Sequence, residues 1–184
     1  MANSELDHRH LFLIGPRGSG KSTVGQLVAD ILARQFFDLD QWIVAQSGRT
    51  IAEIFQADGE PAFRDWETLG LRFLVDHRHS PKVVALGGGA CQRPENQALI
   101  RQAGFCVWLR SPPTVLLNRL RNDPSNAVLR PALTNLGELA ELEHLVNLRQ
   151  PGYEHCADYT VDTDRELPQT LAKQIAAWWF SVDK

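Results

Sequence analysis

Gly15-Pro16-Arg17-Gly18-Ser19-Gly20-Lys21-Ser22-Thr23 carries the pattern G-x-x-x-x-G-K-[ST], a P-loop, and its residue types suit the holding of a phosphate chain. Glycines let successive backbone N–H groups turn inward around an anion, and a helix N-terminus adds partial positive charge. Gly18, Ser19, Gly20 and Thr23 would form that cradle, Lys21 would reach the β- and γ-phosphates, and the Ser22 hydroxyl would ligate Mg²⁺. The competing reading is a Gly/Ser-rich turn that happens to contain Lys-Ser, and the flanks oppose it. Leu11 to Ile14 is an apolar run that reads as a buried strand, and Val24 to Leu32 has apolar residues at helical spacing. Strand, loop and helix in that order imply a nucleoside triphosphate site.

Other residues could act beside it. Phe36 to Asp40 reads as a short strand ending in carboxylates, so Asp38 and Asp40 would project to one side. At the carboxyl edge of a parallel sheet, one such acid suits Mg²⁺ and the other a substrate, though a turn-forming pair fits equally well. Gly87-Gly88-Gly89 follows an apolar run, Lys82 to Leu86, and permits close approach of backbone to a ligand. Arg64 and Glu67 sit three apart on an expected helix and can pair, either to fix the guanidinium or as solvated charges. Arg130, in a Pro-flanked loop, could clamp phosphate from a lid. Arg149 could be surface charge on a helix end.

The elements that must position these residues alternate. Strands are expected at Leu11–Ile14, Phe36–Asp40, Lys82–Leu86, Phe105–Leu109 and Tyr159–Val161. Gln41–Gln46 and Ile51–Phe55 read as short helices broken at Gly48, and Gly59-Glu60-Pro61 opens another, Ala62–Leu71. Pro112-Pro113 starts a helix to about Arg121, Asn122 to Asn135 resembles a mobile loop, and helices follow at Gly137–Gln150 and Leu167–Phe180. Strand–helix alternation implies an α/β fold with a mostly parallel sheet covered on both faces. Trp178, Trp179 and Phe180 are expected to dock the last helix on the core, and His77 and His79 to be solvated.

Composition narrows the classes. The chain has 184 residues, enough for one domain with a full core, and is 43% hydrophobic and 22% charged. A net charge of -3 lacks the basic excess expected of a nucleic-acid-binding body. The three cysteines are widely spaced without CxxC pairing, which suits a reducing compartment. Met1 to His10 is polar and reads as neither signal nor transit peptide, and no apolar run approaches the roughly 18 residues that span a bilayer. The expectation is a cytoplasmic protein with no membrane or nucleic-acid partner.

Taken together, these stretches resemble the shikimate kinase family, small P-loop kinases related to the nucleoside monophosphate kinases. The matching segments are Gly15 to Thr23, Phe37 to Asp40, Gly48 to Ile51 with Ile54-Phe55, Gly59-Glu60, Phe63-Arg64 with Glu67, Leu86 to Ala90, Leu129-Arg130-Pro131, and Arg149 with Tyr153. They run in family order over roughly residues 10 to 165. The resemblance implies a P-loop NTPase fold, three layers α/β/α around a five-stranded sheet. It divides the single kinase domain into a core (about 10–39, 75–120 and 137–181), a helical substrate-binding insertion (about 40–71) and a lid (about 121–136). It implies transfer of the ATP γ-phosphoryl group to the 3-hydroxyl of shikimate, with one Mg²⁺, by a monomer. Lys21, Asp40 and Arg130 would be catalytic. Arg64 and Arg149 would hold the shikimate carboxylate, Gly87, Gly88 and Gly89 would line its ring, and Asp40 would bind its hydroxyls. Ser22 and Asp38 would hold the metal, and Arg119 and Pro168 would flank the adenine.

Three positions depart from the family pattern. Ala85 replaces a hydroxyl residue linked to the magnesium water shell, which implies weaker or differently supported Mg²⁺. Val44 stands where many relatives carry an acid, and Arg121 to Leu129 is longer than a compact lid. Other readings are a kinase of the same build acting on another small hydroxy acid such as gluconate, a P-loop switch or binding protein, and a catalytically lapsed relative.

Overall fold

The computed structural model describes residues 8–122 and 137–182, so Arg130 and most of the expected lid lie outside the described residues. β1 (His10–Ile14) is buried at every position, and its two faces feed two cores. Leu11 and Leu13 pack with Val24, Val28, Leu171 and Ile175, whereas Phe12 and Ile14 pack with Leu39, Phe63, Leu71 and Tyr153. A strand covered on both sides is apolar throughout, hence the continuous run in the sequence. β3 (Lys82–Ala85) and β4 (Gly104–Arg110) flank β1, with β2 (Gln35–Asp38) and β5 (Tyr159–Asp162) at the edges. The five-stranded order is β2-β3-β1-β4-β5, and every pairing is parallel.

Helices α1 (Lys21–Ile31) and α7 (Pro168–Val182) cover one face. The other is covered by α2 (Leu39–Ser47), α3 (Ile51–Asp76), α4 (Pro94–Ala103) and α6 (Glu138–Cys156). α5 (Pro113–Asn122) lies against the P-loop, where Leu116 and Leu120 approach Gly18. The chain leaves β1 for β2 and β3 on one side, then crosses to β4 and β5 on the other. The crevice outside the carboxyl end of β1 is where such sheets bind ligands.

Several boundaries differ from expectation. The strand read as Phe36–Asp40 stops at Asp38, because the Asp38 carboxylate accepts the N–H groups of Asp40 and Gln41 and caps α2. Asp40 therefore sits in the first turn of a helix, not two places along a strand. Ile51–Phe55 and Ala62–Leu71 are parts of one run, α3, interrupted only at Gly59, whose φ of 78° and ψ of 176° are non-helical. Pro61 then falls at the start of the second half, where a missing N–H costs least. α4, unforeseen from sequence, covers the sheet with Ile100, Ala103 and half-buried Leu99 plus buried Asn96. α6 runs past Gln150 through Pro151 and Gly152. At the last helix Trp179 is buried and Trp178 stacks on Tyr159, but Phe180 faces solvent. His77 is not simply solvated: its ring stacks on Phe73, and Nδ1 lies 2.8 Å from the Phe73 carbonyl at the end of α3.

Candidate active site

β1 delivers the chain to the P-loop, and Gly20 opens α1 with a φ of 93°, a conformation that favours glycine. No side chain caps this helix and no acid lies in its first turn, so its N-terminus suits an external anion. Ser19 is buried, and its N–H donates to the Pro16 carbonyl at 3.3 Å, closing a turn of the loop. The Lys21 ammonium folds back over the loop and donates to the carbonyls of Gly15 and Pro16 at 2.9 and 2.8 Å. Arg119 donates to the Gly18 carbonyl at 3.3 Å, to Thr163 Oγ1 at 3.0 Å and to the Thr163 carbonyl. It thereby fastens the P-loop to the segment that leads into α7, whose first residue is Pro168.

Ser22 Oγ donates to Asp38 Oδ2 at 3.0 Å, while Asp38 Oδ1 is held by the backbone of α2. A hydroxyl and a carboxylate at this spacing are hard oxygen donors of the kind Mg²⁺ takes when phosphates and water complete its shell. Ala85 is the cross-strand partner of Asp38 and lines the same cleft without a hydroxyl to offer. Val44 faces solvent on α2.

The second half of the site is built against the glycine run. A Cβ on Gly87 would lie 2.4 Å from Glu67 Oε1 and 3.1 Å from Asp40 Oδ1. On Gly88 it would lie 3.4 Å from Arg149 Nη1, and on Gly89 2.4 Å from both Arg64 Nη atoms. Asp40, Glu67, Arg149 and Arg64 thus pack on three consecutive α-carbons, and a side chain would clash at Gly87 and Gly89, whereas at Gly88 the contact is an ordinary van der Waals one. Arg64 is 8% exposed, Arg149 9% and Glu67 0%, so the Arg64–Glu67 pair is no solvated surface pair. Arg64 Nη1 donates to Glu67 Oε2 at 2.7 Å, and Nε and Nη2 donate to Glu60 Oε1 at 3.1 and 2.6 Å. Burial alone would lower the Arg64 pKa, but Glu67 and Glu60 more than offset it, and the guanidinium stays charged.

Further residues hold this arrangement, Tyr153 from the family-matching segments and Thr68, Asn96 and Gln92 with no sequence signal of their own. Tyr153, one turn beyond Arg149, donates its hydroxyl to the Gly88 carbonyl at 2.5 Å, and burial pushes its pKa up. Thr68 Oγ1 lies 2.7 Å from Asn96 Oδ1, and Asn96 Nδ2 donates to the Ala90 carbonyl at 2.9 Å. Gln92 Nε2 donates to the Arg149 carbonyl at 3.2 Å.

A cleft of about 330 Å³ runs from Arg119 past Lys21 and Ser22 to Asp38 and Asp40. Pro168 does not line it. A larger cavity of about 720 Å³ lies between α6 and the β4–β5 edge, but it contains neither the lysine nor the two acids. The smaller cleft is the one that holds the P-loop lysine and both acids together. The geometry brings together Lys21, Ser22, Asp38, Asp40, Arg64, Gly87–Gly89 and Arg149.

Comparison with known proteins points the same way. The family model described as shikimate kinase matches residues 17–179. A shikimate kinase from Rhodopirellula baltica is 39% identical over 178 residues, covering 96% of this chain and 94% of the relative. One from Neisseria meningitidis serogroup C is 43% identical over 168 residues, covering 90% and 95%. Among solved structures, shikimate kinase from Acinetobacter baumannii in complex with shikimate superposes with a TM-score of 0.86 at 35% identity, covering 97% of this chain and 96% of that one. With a matching fold, a P-loop cleft and this agreement over nearly the whole length, the chain belongs to the shikimate kinase family.

Proposed function

We propose that this ATP-dependent phosphotransferase moves the γ-phosphoryl group onto the 3-hydroxyl of shikimate, with the work divided among the residues above. One observation carries the reading. Asp40 lines the phosphate cleft and also lies against Gly87, where the acceptor-side residues converge. A hydroxyl bound to Asp40 therefore faces the phosphate end of the cleft.

Arg64 and Arg149 are suited to a carboxylate, because forked guanidinium donors match its geometry and Glu67 holds Arg64 in place. The backbone at Gly87, Gly88 and Gly89 lines the ring. Asp40 accepts the hydrogen bond of the 3-hydroxyl, orients its oxygen toward the γ-phosphorus and takes its proton as the new O–P bond forms. The bond from the γ-phosphorus to the bridging oxygen breaks and ADP leaves. Gly18, Ser19, Gly20 and Thr23 cradle the phosphates, and Lys21 neutralises charge on the transferring group. Arg130, outside the described residues, is assigned the same task from the lid, and Arg119 and Pro168 are assigned to the adenine. Ser22 and Asp38 would hold Mg²⁺, which would supply positive charge to neutralise the phosphate oxygens.

The division into a core, an acceptor-binding piece (about 40–71) and a lid (about 121–136) belongs to the same reading. So does action by a monomer in the cytoplasm. Among the described residues no helix is long and apolar enough to cross a membrane.

ADP release from ATP and Mg²⁺ tests the proposal, measured with shikimate, with gluconate and without acceptor. Release only with shikimate is expected. Equal release in all three would leave a nucleotide-hydrolysing P-loop and remove Asp40, Arg64 and Arg149 from shikimate binding.

A further inference from the structure

Five consecutive carbonyls, Gly87 to Cys91, all accept from donors within the protein. The Gly87 and Gly89 carbonyls take the N–H groups of Ala90 and Gln92, each at 3.1 Å. Asn96 Nδ2 holds the Ala90 carbonyl at 2.9 Å, and Gln97 Nε2 holds the Cys91 carbonyl at 2.8 Å. These four donors lie close by in the chain. The fifth does not: the Gly88 carbonyl is held at 2.5 Å by the Tyr153 hydroxyl, 65 residues away on α6. A carbonyl can only accept, so the phenol is the donor.

The peptide that Tyr153 holds is the one least able to hold itself. It lies between Gly88 and Gly89, and with no Cβ on either side its rotation meets little steric resistance. In a trans peptide the N–H points opposite to the C=O. Fixing the Gly88 carbonyl on Tyr153 therefore turns the Gly89 N–H away from that side chain. Arg64 packs on Gly89 and Arg149 on Gly88, so this peptide sits between the two cations assigned to the substrate carboxylate. We propose that Tyr153 is a positioning residue for acceptor binding. Its hydroxyl keeps the Gly88 carbonyl away from the shikimate carboxylate and the Gly89 N–H toward it.

This role rests on the assignment of Arg64, Arg149 and the glycine run to shikimate. Without the hydroxyl, the buried Gly88 carbonyl loses its donor, which is costly. The peptide then rotates toward the nearest donors, the guanidinium groups packed on Gly88 and Gly89. A rotated peptide occupies those cations and presents the negative end of its dipole to an incoming carboxylate. Binding loses a donor and meets an acceptor in its place. The phosphate side of the cleft is lined by other residues, so nucleotide binding is spared.

Tyr153→Phe tests this, because it removes one oxygen and keeps the ring that packs on Trp108. Shikimate binding is measured by calorimetry, and steady-state kinetics are measured for both substrates. The shikimate Kd and KM should rise at least about five-fold. The ATP KM should stay within about two-fold, and kcat should fall less than the shikimate KM rises. Tyr159→Phe, which removes a hydroxyl that accepts from Gln174 at the sheet edge, should change none of these. In the parent chain labelled at its glycine amides, the Gly89 amide proton should shift downfield when shikimate binds. That measurement decides the matter even if Tyr153→Phe fails to fold. A silent Gly89 amide with shikimate bound, or unchanged shikimate affinity in Tyr153→Phe, would overturn the role of Tyr153. So would equal rises in the shikimate and ATP KM, which mark a loss of structure alone. A parent chain that neither binds nor phosphorylates shikimate would instead strike the proposed function, and this role with it.

Discussion

Asp40 meets two demands that a single substitution can separate. If its carboxylate orients or deprotonates the acceptor hydroxyl, Asp40→Asn should lower kcat by about 10²- to 10⁴-fold while the shikimate KM moves less. Steady-state kinetics decide it, and an effect confined to KM would leave Asp40 as a binding residue. Arg64→Ala acts differently, because Arg64 is buried against a fully buried Glu67. The variant should weaken shikimate binding and also lose about 3–5 kcal/mol of stability, since it removes a charged hydrogen-bond partner from a fully buried carboxylate. Urea unfolding alongside a shikimate titration checks both halves, and unchanged stability would put Glu67 in contact with water. Legibility at this scale followed contiguity. The P-loop could be read because its atoms act through adjacent residues. Asp40 was assigned to a strand because Phe36-Phe37-Asp38-Leu39-Asp40 alternates, yet capping by Asp38 outweighs that alternation. Asn96 could not be read, as its partners lie in other elements, and neither could the contact from Thr68 to it.

α3 shows the same contest between local signals and packing. Its start is a capping box: the Thr50 side chain accepts the Glu53 N–H, and Glu53 accepts the Thr50 N–H at 2.7 Å. Because α3 also carries Arg64 and Glu67, its first turns anchor the piece that holds the acceptor side. Thr50→Ala should cost about 0.5–2 kcal/mol and lower Tm, with kcat kept near its starting value. Thermal unfolding and turnover measured together check this, and a matching loss of kcat would mean that the cap also shapes the site. Gly59-Glu60-Pro61 marked a real break within α3, although the helix resumes after it. By contrast, Pro151-Gly152 looked like a stop and is none. Gly152 is there to admit the Cys91 carbonyl, a packing reason invisible in helix propensity. α4 has no clear signal in the sequence because its covering face mixes Leu99, Ile100 and Ala103 with a polar Asn96, a thin apolar stripe for a helix.

Across the whole molecule, the two-faced strands make the fold legible, since Leu11–Ile14 and Lys82–Leu86 read as buried runs and Phe105–Leu109 as a further strand from the sequence. One polar residue inside that frame joins distant parts of the chain. His10 is fully buried at the start of β1; its Nε2 lies 2.9 Å from the Leu74 carbonyl of α3, and its Nδ1 accepts the Lys82 N–H of β3 at 2.9 Å. The ring is therefore neutral, with its proton on Nε2. Burial lowers its pKa from the usual 6.5; the Leu74 hydrogen bond opposes this, and Lys82, Arg34 and Arg78 add to it. Below the unfolded value the unfolded chain binds the proton more readily than the folded one. The contribution of His10 is thus complete above pH 6.5 and is lost as pH falls from there through the folded pKa. The loss is at most about 1.4 kcal/mol per pH unit. His10→Gln keeps a donor and an acceptor but cannot titrate. Urea midpoints measured from about pH 7.5 to 5.5 should fall more steeply for the parent chain than for His10→Gln, because the other histidines are common to both. Equal slopes would show that protonation of this buried ring does not govern the acid sensitivity of the fold.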